Sequence, residues 1–418
     1  MLDVPALRQQ FPALHDNRGG VTPVFLDGPA GTQVPERVIN AIVQYLTTCN
    51  ANHGGVFATS RESDKITHAA HEAIADLINA LSPDEVVFGQ NMTSLTFHLA
   101  RSLARTWKPG DEVVVTRLDH NANVRPWVLA ARDAGAVAQF VDIHPEDCTL
   151  DLDDLRRRLG PRTRLLAVSC ASNAVGTIND VKTITRLAHE VGALVFLDAV
   201  HYAPHAPIDV QDWDCDFLAC SAYKFFGPHV GALWGRRSLL NELTPYKVRP
   251  APETLPDRWM TGTQNHEGLA GVAAAVDYLA EIGAKHSTSP GSPPLASGRR
   301  GAIRAALLAI QAYEATLARR LLTGLAARPP FKVWGVTNLE HLSRRVPTIS
   351  ITAYDVDAGR IAEHLAARHI YTWSGNLYAV ELAERLGLES KGGFLRLGLV
   401  HYNMPQEIDR LLAALDEL

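Results

Sequence analysis

The sequence lacks the features that mark several large classes of protein. No stretch of about 18 apolar residues occurs, so no membrane-spanning helix is predicted, and the first residues lack the basic start and long apolar core of a signal peptide. Lys and Arg total 40 against 45 Asp and Glu, a net charge of −5, which excludes a global basic field for nucleic acid or an anionic membrane. We therefore expect a cytoplasmic protein whose partners are neither nucleic acid nor membrane.

Cysteine is scarce and unevenly placed. There are five cysteines in 418 residues, none after Cys220, and no C-x-x-C pair. An odd count without such a pair argues against both a disulfide framework and a zinc site, and it fits a reducing compartment. The long C-terminal part of the chain therefore has no thiol that could act as a nucleophile.

What the sequence does contain is a regular alternation of strand-like and helical segments between about residues 85 and 235. Such alternation predicts an α/β fold with a mostly parallel sheet covered by helices on both faces. The chain is also too long for one simple core. We predict an N-terminal segment at 1–20 that packs with a small domain, a large domain at 21–284, a Pro/Ser/Gly-rich loop at 285–300 and the small C-terminal α+β domain at 301–418. The strands of that last unit are predicted at about 331–334, 348–351, 370–373 and 394–398.

Two polar residues stand where buried strands should end. Asp198 follows an apolar run at 194–197, and Lys224 closes a polar turn after the run at 217–220. The carboxyl edge of an open α/β sheet is where ligands bind, and a lysine with an acid suits pyridoxal phosphate (PLP), which needs a Schiff-base lysine and a partner for its pyridinium nitrogen. The alternatives are a helix cap or structural pair for Asp198 and a surface position for Lys224.

Other polar residues follow predicted strands in the same way. A turn at 89–94 precedes a helix, an arrangement that binds anions, and Thr93 could add a hydroxyl donor or only cap the helix. His120 could stack on a cofactor ring or be a capping or solvent-facing histidine. Asn173 and His201 could bond the 3′-oxygen of that ring. Arg396, alone in an apolar strand, could hold a substrate carboxylate or form an internal salt bridge.

Four segments resemble the class V aminotransferases of PLP fold type I, in particular their cysteine desulfurase branch. They are residues 119–127 (DHNANVRPW), 172–177 (SNAVGT), 198–201 (DAVH) and 221–224 (SAYK). The resemblance implies a large domain with a mostly parallel seven-stranded sheet and a smaller α+β C-terminal domain. It also implies PLP as cofactor and a homodimer with active sites at its interface.

The resemblance carries over roles residue by residue. It makes Lys224 the Schiff-base lysine and general base, His120 the ring-stacking histidine and Asp198 the pyridinium partner. The further cofactor contacts it implies are Met92, Thr93, Asn173, His201, Ser221, Tyr223 and, from the other subunit, Thr263. The substrate contacts it implies are Ala30, Asn173, Asn376 and Arg396.

One departure from the family pattern bears on the reaction. A desulfurase carries a nucleophilic cysteine on a loop that corresponds to residues 374–379 (SGNLYA), and this chain has none there. A persulfide cannot form on an absent thiol. We therefore expect an enzyme of the C–S lyase or β-elimination type that acts on a small amino acid through an external aldimine, and the resemblance favours a sulfur-containing substrate. The alternatives are an aminotransferase or epimerase on the same scaffold, and a non-catalytic PLP-binding partner protein.

Overall fold

The computed structural model describes residues 2–16, 20–287 and 298–418. Its strands, in chain order, are β1 Val24–Phe25, β2 Val86–Gly89, β3 Glu112–Thr116, β4 Val137–Val141, β5 Ile143–His144, β6 Thr149–Leu150, β7 Thr163–Ser169, β8 Leu194–Asp198, β9 Phe217–Ser221, β10 Gly231–Gly235, β11 Phe331–Trp334, β12 Thr348–Ala353, β13 Ile370–Tyr371, β14 Trp373–Gly375 and β15 Phe394–Gly398. Its α-helices are α1 Val4–Arg8, α2 Glu36–Thr48, α3 Ala58–Leu77, α4 Met92–Ala104, α5 Arg125–Ala134, α6 Leu152–Arg158, α7 Val181–His189, α8 Val210–Trp213, α9 Arg237–Glu242, α10 His266–Ser287, α11 Gly298–Ala326, α12 Ala358–Ala366, α13 Val380–Arg385 and α14 Pro405–Leu415.

The main sheet has seven strands in the order β2-β10-β9-β8-β7-β3-β4. The pairs that β10 forms with β2 and β9 are antiparallel, and the other four adjacent pairs are parallel. The predicted α/β fold with a mostly parallel seven-stranded sheet is therefore confirmed. Because the chain crosses over by helices, the carboxyl ends of β7, β8 and β9 come together at one edge, where Ser169, Asp198 and Ser221 end their strands.

Both faces of this sheet are buried, which explains the continuous apolar runs of its strands. Along β8, Val195 and Leu197 pack on one face, and Phe196 packs on the other. Gly231 is required at the start of β10, because a Cβ there would lie 2.4 Å from the backbone of Asn91. That close approach seats the turn before α4 against the strand edge.

A second, antiparallel sheet of order β11-β12-β15-β14 packs with α11, α12 and α14 around its own core. Arg396 lies in the middle of β15, and Ser350 pairs with it across the sheet. Gly176 adopts a left-handed backbone (φ +77°), and a Cβ there would lie 2.4 Å from the carbonyl oxygen of Thr348. This contact brings the second sheet close to the edge of the first.

The structure differs from the expectation at several element boundaries. The strand predicted at 370–373 is two strands: β13 pairs with β1, whereas β14 pairs with β15. Residues 24–25 thus pair with the C-terminal part of the chain although they were predicted within the large domain. In the N-terminal segment Arg8 bonds Glu407, and Phe11 packs on Phe226 and Tyr402.

The loop predicted at 285–300 lies partly outside the described residues. Helix α10 continues to Ser287 and α11 begins at Gly298, so both ends of the predicted loop are helical. Residues 288–297 are not among those the structure describes. The domain limits at 21–284 and 301–418 stay a prediction.

Candidate active site

A cavity of about 380 Å³ opens at the carboxyl edge of the main sheet. It brings together twelve of the thirteen residues that the sequence singled out: Ala30, Met92, Thr93, His120, Asn173, Asp198, His201, Ser221, Tyr223, Lys224, Asn376 and Arg396. Thr263 is the exception, because it is exposed and does not line this cavity. Its predicted role requires a second subunit, so its position in one chain does not test that role.

Lys224 is buried, and its Nζ donates a hydrogen bond to the carbonyl oxygen of Pro29. Burial and the nearby charge of Arg396 lower the pKa of Lys224 to about 7. A lysine in this state is partly neutral near pH 7 and can accept a proton. The alternative of a surface lysine is therefore wrong.

Asp198 is also buried, at the last position of β8. Burial raises the pKa of its carboxyl to about 6, while the N–H of Val200, which donates to Oδ1 at 2.8 Å, and the charge of Lys224 act in the opposite direction. A buried carboxyl of this kind is stabilised in its charged form by a cation brought into the cavity. Asp198 is thus suited to hold a protonated ring nitrogen.

His120 serves as a cap and also lines the cavity. Its Nδ1 accepts a hydrogen bond from the N–H of Ala122 at 3.0 Å, which places the ring proton on Nε2. Burial lowers the pKa of His120 to about 4, with the charges of Lys224 and Arg396 acting in the same direction. The capping role and the ring-stacking role of His120 are therefore compatible. The hydrogen bond holds the edge of the neutral ring, and a face of the ring can still stack on a cofactor.

Arg396 is buried in β15 and donates from Nη1 to the carbonyl oxygen of Asn173 at 2.9 Å. Burial lowers the pKa of its guanidinium to about 10. Within the described residues no Asp or Glu oxygen lies within 4 Å of it, so the internal salt bridge that the sequence left open is not formed there. Its charge therefore remains available to an anion in the cavity.

The remaining polar groups surround the same space. Asn173 donates from Nδ2 to the carbonyl oxygen of Leu377 at 2.8 Å, and its buried Oδ1 has no partner in the described part of the chain. His201 bonds Thr348 through Nε2 at 2.9 Å. Asn91, rather than Thr93, caps α4, because its side chain accepts from the N–H of Ser94. Thr93 is thus not occupied as a helix cap.

Sequence reasoning missed most of one wall of the cavity. It is lined by Trp373, Ser374, Gly375, Leu377 and Tyr378 besides Asn376. The sequence places residues 374–379 at the site through the resemblance, but it assigns a substrate contact only to Asn376. The signal for these residues was that the segment corresponds in sequence to the family's catalytic loop. Leu377 and Tyr378 have left-handed backbones, with φ of +59° and +58°, a conformation that non-glycine residues rarely adopt.

A family model for class-V aminotransferases matches residues 24–291 and 303–411. The chain belongs to this family. It is 31% identical over 418 residues to an aminotransferase-like protein of Gibberella zeae, a match covering 98% of this chain and 97% of that protein. It is 30% identical over 430 residues to a cysteine desulfurase of Pectobacterium atrosepticum, covering 99% and 98%.

Solved structures of cysteine desulfurases agree with this chain in fold. A cysteine desulfurase of Escherichia coli superposes with a TM-score of 0.83 at 27% identity, over 100% of this chain and 98% of that one. One from Thermococcus onnurineus gives a TM-score of 0.86 at 24% identity, with the same coverage. At that identity the second likeness shows the fold alone.

Class V aminotransferases are PLP-dependent enzymes, and homodimers are typical of them, so the predicted cofactor and enzyme class are confirmed. The polar groups present fit PLP: a buried lysine, a buried acid, a neutral imidazole and the unpartnered acceptor Oδ1 of Asn173. Bound PLP supplies an electron sink for the bonds at Cα of an amino acid. No cluster that could hold a metal ion and no helix able to cross a membrane occurs in the described ranges.

Proposed function

We propose that this class V enzyme removes the Cα proton of a small amino acid and eliminates its β-substituent, as a C–S lyase does. The observation that carries the proposal is the pairing of Lys224 and Arg396 in one cavity. A lysine with a pKa of about 7 is a base near neutral pH. A buried guanidinium with no carboxylate oxygen within 4 Å in the described part of the chain is suited to bind the substrate carboxylate.

Each residue around the cavity has a separate role in the proposed reaction. Arg396 holds the carboxylate, and Lys224 accepts the proton from Cα. Asp198 would hold the ring nitrogen of PLP, the face of His120 would lie against its ring, and Ser221 near the α4 N-terminus would hold its phosphate. Elimination then breaks the Cβ–S bond, the thiolate leaves with both bonding electrons, and water converts the remaining enamine to a keto acid and ammonia.

The missing thiol separates this proposal from the activity named for the desulfurase relatives. Residues 374–379 contain no cysteine. The cysteine closest in sequence to Asn173, Cys170, is buried, and burial raises the pKa of its thiol well above the usual value. Such a thiol is inert as a nucleophile. β-Elimination needs no thiol on the protein, whereas persulfide formation does.

Transamination is the second candidate. The similarity to an aminotransferase-like protein of Gibberella zeae favours it, and it begins with the same proton removal by Lys224. It ends differently, because the amino group stays on the cofactor and a keto acid leaves.

Product analysis with the PLP-loaded protein tests these proposals. The holoenzyme is incubated with a panel of cysteine conjugates and other small amino acids, and products are identified by mass spectrometry. Thiol, keto acid and ammonia in equal amounts support the lyase, and a keto acid with aminated cofactor supports the transaminase. Loss of chirality alone contradicts both, and so does a protein that fails to acquire the visible absorbance of bound PLP.

We also propose that the protein is a cytoplasmic homodimer in which Thr263 of the partner subunit completes the phosphate site. Exposed apolar side chains lie along one face of α2, at Ile39, Val43 and Leu46, a face suited to contact with a second copy. The five cysteines are free, which suits a reducing compartment. Light scattering at two protein concentrations tests the dimer. Thr263→Ala should weaken PLP affinity without changing the mass of the assembly.

A further inference from the structure

The mouth of the cavity is formed by two exposed aromatic rings. Trp373 in β14 is 53% exposed, and Tyr378 just beyond it is 71% exposed, and both line the cavity. Aromatic rings offer large apolar area at a small cost in side-chain entropy. Rings that are open to solvent at the entrance of a binding cavity therefore provide a contact surface for what enters it.

Tyr378 is held in place by contacts with elements that line the cavity. Its ring stacks on His120, with ring centroids 5.4 Å apart and planes 18° from parallel. Its carbonyl oxygen accepts from the N–H of Asn121 at 2.7 Å, and its own N–H donates to Oδ1 of Asn376 at 3.0 Å. These contacts fix a left-handed backbone that tyrosine disfavours, as occurs at functional sites.

The cavity contains few charges, and all of them already have a role. Among its described lining residues only Asp198, Lys224 and Arg396 carry acidic or strongly basic side chains. The proposed function assigns these to the ring nitrogen, the Cα proton and the substrate carboxylate. No described lining residue of this chain is left to pair with a charge on the substrate side chain, and a charge that loses its water against the rings without a partner would be costly.

We infer that the enzyme selects amino acids with an uncharged, apolar or aromatic β-substituent, and that Trp373 and Tyr378 are the residues that recognise it. This inference rests on the proposed function, because Arg396 must anchor the carboxylate for the side chain to reach the two rings. Burial of apolar substrate area against the rings favours larger substituents. A carboxylate or ammonium group on the substrate side chain finds no oppositely charged side chain among the described lining residues.

Binding of unreactive carboxylates to the holoenzyme tests this inference without turnover. Calorimetric titration measures the Kd of propionate, 3-phenylpropionate and succinate, none of which carries an amino group. We expect 3-phenylpropionate to bind at least about tenfold tighter than propionate. Succinate should bind no tighter than propionate. Succinate binding tightest, or equal binding of all three, would overturn the inference.

Variants of the two aromatic residues test whether their rings cause the preference for 3-phenylpropionate. Tyr378→Ala and Trp373→Ala should each reduce the Kd ratio of propionate to 3-phenylpropionate severalfold, whereas Tyr378→Phe should keep it. Tyr354→Ala is the matched control, because Tyr354 is 81% exposed and lies outside this cavity. If the Kd ratio is unchanged in both alanine variants, the two rings do not recognise the substituent. If the dimer mass is lost while the ratio stays the same, the rings belong to the subunit contact instead.

Failure of the proposed function gives a different pattern. In that case Arg396→Gln leaves propionate binding unchanged, or the wild-type protein shows no visible absorbance of bound PLP. Failure of this inference alone leaves PLP bound and propionate dependent on Arg396, while the preference for the aromatic ligand is absent.

Discussion

The two sides of the cavity differ in burial and in backbone conformation. The floor consists of strand ends and the turns behind them, where buried Asp198 and Lys224 shift each other's titration. The outer wall consists of β14 and the short loop after it, where exposed rings and left-handed backbone face solvent. A polar floor of strand ends is suited to hold a cofactor, whereas a loop wall can change without disturbing the sheet. Members of one family can thus share a cofactor and differ in reaction.

The largest effect is expected from removing the base on the floor. Lys224→Ala should lower kcat/KM by about 10²- to 10⁴-fold, because general-base catalysis contributes on this order. Lys332→Ala on β11 is the control and should leave the rate unchanged. Activity that survives Lys224→Ala would break the distinction between floor and wall, since the proton would then be removed by a group on the wall.

The next largest effect is expected at Arg396, which lies between the floor and the wall. Arg396→Gln should raise KM for the amino-acid substrate by about 10- to 100-fold, as loss of a charge-assisted hydrogen bond does. Arg320→Gln, which breaks an exposed pair with Asp409, should have no such effect. Steady-state kinetics separates the two parameters, and a fall in kcat with unchanged KM would contradict the anchoring role.

The pH profile sharpens the comparison further. Since Lys224 accepts a proton only when neutral, kcat should be low in acid and rise with pH through about 7. The positive charge of Arg396 lowers the pKa of Lys224, so Arg396→Gln should move the rise to higher pH at saturating substrate. A rise that stays in place would show that the two groups do not interact.

The smallest effect is expected at the buried thiol behind the floor. Cys170→Ala should leave kcat within about twofold, because a buried thiol of raised pKa takes no part in the chemistry. Urea unfolding should show a loss of about 1 kcal/mol or less from the small cavity created. A loss of activity far beyond the loss of stability would identify Cys170 as a nucleophile.

Much of the floor could be predicted because its chemistry follows from strand ends. Asp198 and Lys224 each follow a continuous apolar run, and parallel topology brings such positions to one edge. The roles of His120 and Asn173 were hypotheses from their places after predicted strands, and the segments that resemble the family then favoured them. Their positions in the cavity agree with those roles, and the roles themselves stay predictions.

The wall could not be predicted in the same way. Tyr378 enters the site through a left-handed backbone, and nothing in its residue type indicates this conformation. The pairing of β1 with β13 was missed because two-residue strands show no periodicity. For the same reason the sequence predicts a single strand where β13 and β14 are separate. Thr263 stays a prediction because its partner would be another subunit.

The central claim is that this floor drives elimination without a thiol on the wall. The most direct measurement is the ratio of pyruvate to alanine formed from L-cysteine by the holoenzyme, with sulfide measured in parallel. The account predicts pyruvate and ammonia in amounts equal to sulfide, with no persulfide on the protein by mass spectrometry. Alanine in amounts equal to the sulfur released, together with a persulfide on any of the five cysteines, would contradict it.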